Sequence, residues 1–224
     1  MKKITVNGLD VILLKRLKQK TLRLSVAKTG SVRLTMPYFV SEKKAVLFLM
    51  THFNWIKEKQ SACKEKVFKD GDEVLILGKK YKIIHDETQT HGVVIQQDEM
   101  YVGGEKEFLH RRISNFAKKE LLKYICEKAP KMASGFDKKI NRITLKDTTS
   151  RWGSCSSKGN LNFCFKLAFA PLFVIDYLIA HEVAHLKEMN HSDDFWQCVA
   201  KMNVEQAQAE IWLRKNGREL MKIK

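Results

Sequence analysis

Apolar residues recur along this chain in two rhythms, every second position in much of its first hundred residues and every third or fourth position afterwards. Leu22, Leu24 and Val26 alternate with polar neighbours, Lys28-Thr29-Gly30 offers a turn, and Val32, Leu34 and Met36 alternate again up to Pro37. Side chains on a strand point to opposite faces in turn, so this spacing predicts a β-hairpin with one buried face. Ser41 then precedes Val46, Leu49, Phe53 and Ile56 at helical spacing and can cap that helix. After Asp70-Gly71 a second set of short strands is predicted over 74–77, 80–84, 93–95 and 100–102, with Gly78 in a turn.

At Gly103-Gly104 the rhythm changes. Leu109, Ile113, Phe116, Ala117, Leu121 and Tyr124 stand at three- and four-residue steps, and Pro130 ends or kinks the helix they predict. The expected organisation is therefore α+β in two parts, a β-rich subdomain over 1–103 and a mainly helical domain with a small sheet over 104–224. In the second part, Gly153 and residues 156–160 supply turn chemistry, and Leu161, Phe163 and Phe165 alternate with Asn162, Cys164 and Lys166 as in a strand. Residues 174–186 are apolar nearly all round, which predicts a buried central helix. Ser192 is placed to cap a helix beginning Asp193-Asp194, and a last helix is expected from Val204 to Leu220. The sequence contains no internal repeat.

The buried helix carries the chemistry. His181 and His185 are four residues apart, so on a helix both imidazoles reach one ion, and His191 follows six residues later, after a turn over 187–190 in which Asn190 is a candidate left-handed residue. Three protein ligands leave the fourth position of a tetrahedral ion to water, the arrangement of catalytic rather than closed structural zinc sites. Glu182, next to the first ligand, is set to meet that water as a general base. Some zincins take the third ligand from a Glu on the following helix, which makes Glu205 and Glu210 alternatives here; geometry and the family resemblance given below favour His191. Imidazole ligation favours Zn2+ and also accepts other divalent ions.

Reading outward, the run 151–162 (Arg151-Trp152-Gly153-Ser154-Cys155-Ser156 onward), Ala170-Pro171, residues 174–177, and HEVAHLKEMNHSDDFW over 181–196 together resemble the YgjP-like metallopeptidase family, distantly similar to SprT-type proteases. The matching core covers about 50 residues, with weaker similarity through Gly30-Ser31-Val32, Pro37 and Trp55-Ile56. The resemblance implies a small zincin-like domain with zinc on His181, His185 and His191 and Glu182 as the catalytic acid/base. Metzincins share the histidine spacing, but where they carry a Gly this chain has Glu188. In zincins a strand beside the active-site helix binds the substrate backbone, so the hairpin with Trp152, Gly153, Ser154 and Asn162 is the expected substrate edge. Arg151 is either a cleft residue that stabilises an oxyanion or half of a structural ion pair, with Trp152 filling the core.

The formal charge is +16, from 41 Lys and Arg against 25 Asp and Glu, and the lysines are spread over both halves. Such a surface attracts polyanions, so three functions are carried forward: a zinc peptidase acting on peptide or protein, a metal-dependent hydrolase of an anionic small molecule such as a nucleotide, and a DNA-associated protease with non-specific nucleic-acid contact. No secretory leader and no apolar stretch long enough for a membrane span are evident. Five scattered cysteines without CxxC pairs (Cys63, Cys126, Cys155, Cys164, Cys198) suit free thiols in the cytoplasm. His52, His85, His91 and His110 lack ligand partners at useful spacing and are expected to be structural or exposed.

Overall fold

The computed structural model describes residues 2–27, 30–62, 65–90, 92–136 and 138–224; Lys28, Thr29, Cys63 and His91 lie outside them. The chain divides into two compact units, Met1–Glu65 and Lys66–Lys224.

The first unit is a four-stranded sheet, β1 (Lys2–Val6), β2 (Leu9–Arg16), β3 (Arg23–Val26) and β4 (Val32–Pro37), with two helices, α1 (Glu42–Thr51) and α2 (Phe53–Ala62). The predicted hairpin is present, with Leu24 opposite Leu34 and Val26 opposite Val32. Strands β1 and β2 were not anticipated from the alternation. They are joined at Asn7 and Gly8, both at positive φ (50° and 75°), the two-residue turn whose twist matches that of the flanking strands. Val11, Leu13, Val32, Leu34 and Met36 bury one face of the sheet together with Ala45, Leu49 and Ile56 of the helices. Ser41 caps α1 through the Lys44 amide. The expected single helix is broken at His52: the Phe48 carbonyl accepts from Thr51 Oγ1 and is engaged by His52 Nδ1, each at 2.9 Å. These side chains compete for the acceptor that the His52 amide would otherwise use, and that amide turns to Leu49 instead.

The second unit opens with β5 (Glu73–Ile76), β6 (Lys79–Asp86), β7 (Val93–Gln96) and β8 (Glu99–Gly103), followed by α3 (Leu109–Met132). The expected boundary after Gly103 falls inside this unit, because Val74, Ile76, Ile83, Met100 and Val102 share one core with Leu109, Ile113, Ala117 and Leu121 of α3. The two four-stranded sheets repeat one topology. Orders β1-β2-β4-β3 and β5-β6-β8-β7 each have two antiparallel hairpins joined by a parallel central pair. The residues themselves show no such repeat. In α3, Pro130 lies inside the helix, which ends two residues later at Met132.

A three-stranded sheet follows, ordered β10-β11-β9, from β9 (Arg142–Lys146), β10 (Gly153–Cys155) and β11 (Asn160–Cys164). The strand alternation ends at Cys164; Phe165 and Lys166 lie in a 3-10 turn and both are buried, the Lys166 ammonium meeting Asp147 Oδ1 at 3.0 Å and the Met221 carbonyl at 3.1 Å. Three helices complete the unit: α4 (Leu172–Ala184), α5 (Asp193–Lys201) and α6 (Gln206–Leu220). Helix α4 is buried along nearly all its length, as its apolar composition predicts. Tyr124 and Lys128 of α3 both reach the Asp176 carboxylate on α4, at 2.6 and 3.0 Å. Among the described residues no helix is long and apolar enough to cross a membrane.

The lone histidines among the described residues serve structure: His85 Nε2 meets the Gly104 carbonyl at 2.6 Å, and His110 Nδ1 accepts from the Phe68 amide. Cys126, Cys155, Cys164 and Cys198 are free thiols.

Candidate metal centre

The site is built where α4 ends. The chain leaves the helix through short turns, Leu186 N–H to the Val183 carbonyl and Lys187 N–H to that of Ala184, so no left-handed residue is needed and Asn190 does not adopt positive φ. His191 follows, outside any helix or strand. Ser192, the residue before α5, has the extended backbone of a helix cap but no capping side-chain bond; Asp193 and Asp194 place negative charge on the first turn instead.

These turns gather three imidazoles. One nitrogen from each of His181, His185 and His191 lies within 4.8 Å of the other two, and the Nε2 atoms of His181 and His191 are 3.1 Å apart. Two nitrogens bound to one tetrahedral ion at about 2.0–2.1 Å stand roughly 3.3 Å apart, so the observed pair has the spacing of a shared ion. His185 Nδ1 lies 2.9 Å from the Glu188 carbonyl and donates to it, which leaves the Nε2 lone pair for a metal. Burial holds His181 down to about 4, with His185 and His191 adding to the effect, and burial lowers His185 as well. Neutral imidazole is the form that ligates. The donor set fits a divalent ion of the zinc type.

The floor of the cluster is Phe195, fully buried on α5, with ring centroids 4.9, 4.6 and 4.7 Å from His181, His185 and His191. Sequence reasoning read Phe195 only as a core residue. The two alternative acids do not join the donors: Glu205 is exposed before α6, and Glu210 accepts from Tyr177 Oη at 2.9 Å and Gln206 Nε2 at 3.1 Å.

Glu182 is 4% exposed, and its Oε2 is buried with no hydrogen-bond partner. Burial pushes the carboxyl up to about 8, with the Arg151 charge pulling the other way. Its neighbour across the cleft is the backbone of β10. A Cβ on Gly153 would overlap Glu182 Oε1 and stand 2.7 Å from Cδ and Cγ, so only glycine permits this approach.

The expected substrate residues divide. Gly153 lies on the sheet face toward α4, whereas Ser154 and Asn162 share the opposite face, where Asn162 bonds Ser154 Oγ at 3.3 Å and Thr144 Oγ1 at 2.6 Å. Those two side chains line an open cavity of about 440 Å³ with Lys146, Thr148 and Arg151, and Gly153 also borders it. Trp152 is half-buried and packs onto α6, its ring 3.2 Å from where a Gly217 Cβ would stand. Arg151 is exposed and makes no ion pair among the described residues.

Strand β10 lies at one edge of its sheet. Bonds from Cys164 N–H to the Trp152 carbonyl (2.7 Å) and from Ser156 N–H to the Asn160 carbonyl (3.0 Å) fix which residues pair with β11. In an antiparallel ladder the alternate residues face the other way, so Gly153 and Cys155 present their N–H and C=O groups along the free edge.

The comparisons with curated proteins and with solved structures give no match. The family model for the YgjP-like metallopeptidase domain matches residues 20–216, a span that takes in both units and every residue of the histidine cluster, and on that match the chain belongs to the YgjP-like metallopeptidase family.

Proposed function

We propose that this metallopeptidase-family chain is a zinc-dependent peptidase whose ion is held by His181, His185 and His191 and whose general base is Glu182. The observation that carries the reading is the buried, unpartnered Glu182 carboxylate beside a cluster of converging neutral imidazoles. When bound, the ion supplies Lewis acidity, acidifying a water at its open position and polarising a carbonyl oxygen.

Glu182 takes the proton of the attacking water on a carboxylate oxygen and delivers it to the departing amine. Its burial excludes bulk water, and the Gly153 backbone packed against it limits where the carboxylate can swing. Arg151, unpaired and electrostatically coupled to Glu182, balances negative charge that develops on the substrate oxygen. The free edge of β10 favours a peptide over a small anion, because an extended segment can pair its own backbone with Gly153 and Cys155. Trp152 supports this wall from behind rather than touching substrate.

The test is digestion of an unbiased peptide mixture by zinc-loaded protein, read by mass spectrometry. Cleavage that stops on chelation and returns with zinc is expected; an intact mixture alongside hydrolysis of nucleotides or other small esters would overturn the peptidase assignment.

A further inference from the structure

Apart from the hydrolytic site, the charge of the chain is distributed in a way that names a second partner. Met1–Glu65 holds fourteen Lys and Arg against four Asp and Glu, whereas the rest of the chain holds twenty-seven against twenty-one. Counted by halves the lysines are evenly spread; counted at the boundary of the compact units, ten of the sixteen excess charges fall on the smaller one.

Part of that excess has a definite place. One face of the β1–β4 sheet is buried together with residues of α1 and α2, and the register sets what the other face displays. Lys3, Ile12, Arg33 and Ser25 form one row across the strands, and Leu14, Thr35 and Arg23 the next, with Arg16 beyond. Lys3, Arg16, Arg23 and Arg33 are exposed, and none makes an ion pair among the described residues. The acid on this face, Asp10, accepts from Thr5 Oγ1 at 2.8 Å. Where β2 and β4 finish, Tyr38 and Phe39 are 64% and 82% exposed, and Lys15 Nζ lies 5.7 Å from the Tyr38 ring.

The second four-stranded sheet supplies an internal comparison, because it has the same topology and also buries one face. Its opposite face pairs Lys82 with Glu73 on one side and Glu99 on the other, and adds Lys80 and Asp86. Acids outnumber cations there by three to two. The strand arrangement therefore does not by itself require a basic face, and the four cations of the first sheet call for another cause.

We propose that the helix-free face of the β1–β4 sheet binds single-stranded nucleic acid, with Arg23, Arg33, Lys3 and Arg16 on phosphates and Tyr38 and Phe39 stacking on bases at its end. Guanidinium groups match phosphate oxygens bidentately, and a row of them follows a backbone that repeats its charge. The exposed aromatic rings favour a single strand over a duplex, because a duplex hides the faces of its bases whereas a single strand offers them for stacking.

The experiment is fluorescence anisotropy of full-length protein with labelled oligo-dT and oligo-U of about 20 nucleotides, across roughly 50 to 200 mM salt. Binding that weakens at least about tenfold over that range is expected, and Arg23→Gln/Arg33→Gln should weaken it about tenfold and flatten the salt dependence. Tyr38→Ala/Phe39→Ala should cost roughly tenfold with the salt dependence kept, since stacking releases no counterions. Lys80→Gln/Lys82→Gln, on the equivalent face of the other sheet, should change nothing. All six side chains project from the surface, and circular dichroism checks that each variant is folded. The proposal fails if the oligonucleotides do not bind at the low-salt end, or if Lys80→Gln/Lys82→Gln loses as much as Arg23→Gln/Arg33→Gln. It fails equally if Tyr38→Ala/Phe39→Ala binds normally while duplex DNA or phosphatidylserine vesicles bind as tightly.

Discussion

Gly153 and Glu182 are in direct contact: the glycine backbone occupies the space in which any larger residue's Cβ would overlap the carboxylate. Strand β10 and helix α4 thus fix each other at the one point where the proposed base stands. Gly153→Ala should push Glu182 out of place, lowering peptide turnover by about a hundredfold while the metal content stays near that of the unaltered protein, at a cost of about 1–3 kcal/mol in stability from overpacking. Turnover and bound metal measured on the same preparation check this. Full activity in the alanine variant would mean that the contact has no functional weight.

The imidazole cluster predicts that metal and stability are linked. An ion that binds the folded state at a concentration of 100 to 1,000 times its Kd adds about 3–4 kcal/mol, so chelation should lower Tm by roughly 5–15 °C. His191→Ala should remove most of that sensitivity, because it takes away the proposed ligand that the chain brings back to the end of α4 from the turn beyond it. Scanning calorimetry with and without chelator reads the difference. A His191→Ala protein that still responds fully to chelator would point to another third donor.

Asp176 joins α3 to α4 through Tyr124 and Lys128, and its side chain is about one-fifth exposed. Asp176→Ala leaves a phenol hydroxyl and an ammonium without their acceptor, and should destabilise the second unit by about 1–3 kcal/mol. Chemical denaturation with a probe in that unit measures it. An unchanged midpoint would show that water replaces the carboxylate without loss.

Cys155 ends β10, and burial, with the negative charge of Glu182 adding to it, pushes its thiol up to about 11. The thiolate is the reactive form, so at pH 8 roughly one molecule in a thousand is reactive, and alkylation should accelerate about tenfold per pH unit up to about 11. Iodoacetamide at pH 8 should therefore modify exposed Cys126 well before Cys155, as read by peptide mapping. Rapid labelling of Cys155 near neutrality would contradict its half-buried setting beside Glu182.

The histidine cluster was legible in the sequence because its geometry is local. Four residues along a helix and six more around a turn bring the imidazoles together whatever the rest of the fold does. The wall was only half legible: alternation located the hairpin and sets Ser154 and Asn162 on the face opposite Gly153, but that α4 packs against the Gly153 side is a long-range contact that no local pattern reveals. The first hairpin, β1–β2, was missed despite Asn7-Gly8, a strong turn signal between apolar-alternating segments. The boundary at Gly103 was misplaced for a different reason. A change from strand to helix marks a change of element, but the β5–β8 sheet and α3 bury their apolar faces in one core, which no local pattern reveals.

The central claim is that Glu182 moves the proton in hydrolysis while three histidines hold the ion. Glu182→Gln tests it most directly, because the amide keeps the size of the carboxylate and the imidazoles untouched but cannot accept the proton. Metal content by elemental analysis and peptide turnover by mass spectrometry, measured on one sample, should show bound zinc retained and turnover reduced at least a hundred- to a thousandfold. Zinc retained with turnover undiminished would contradict the account.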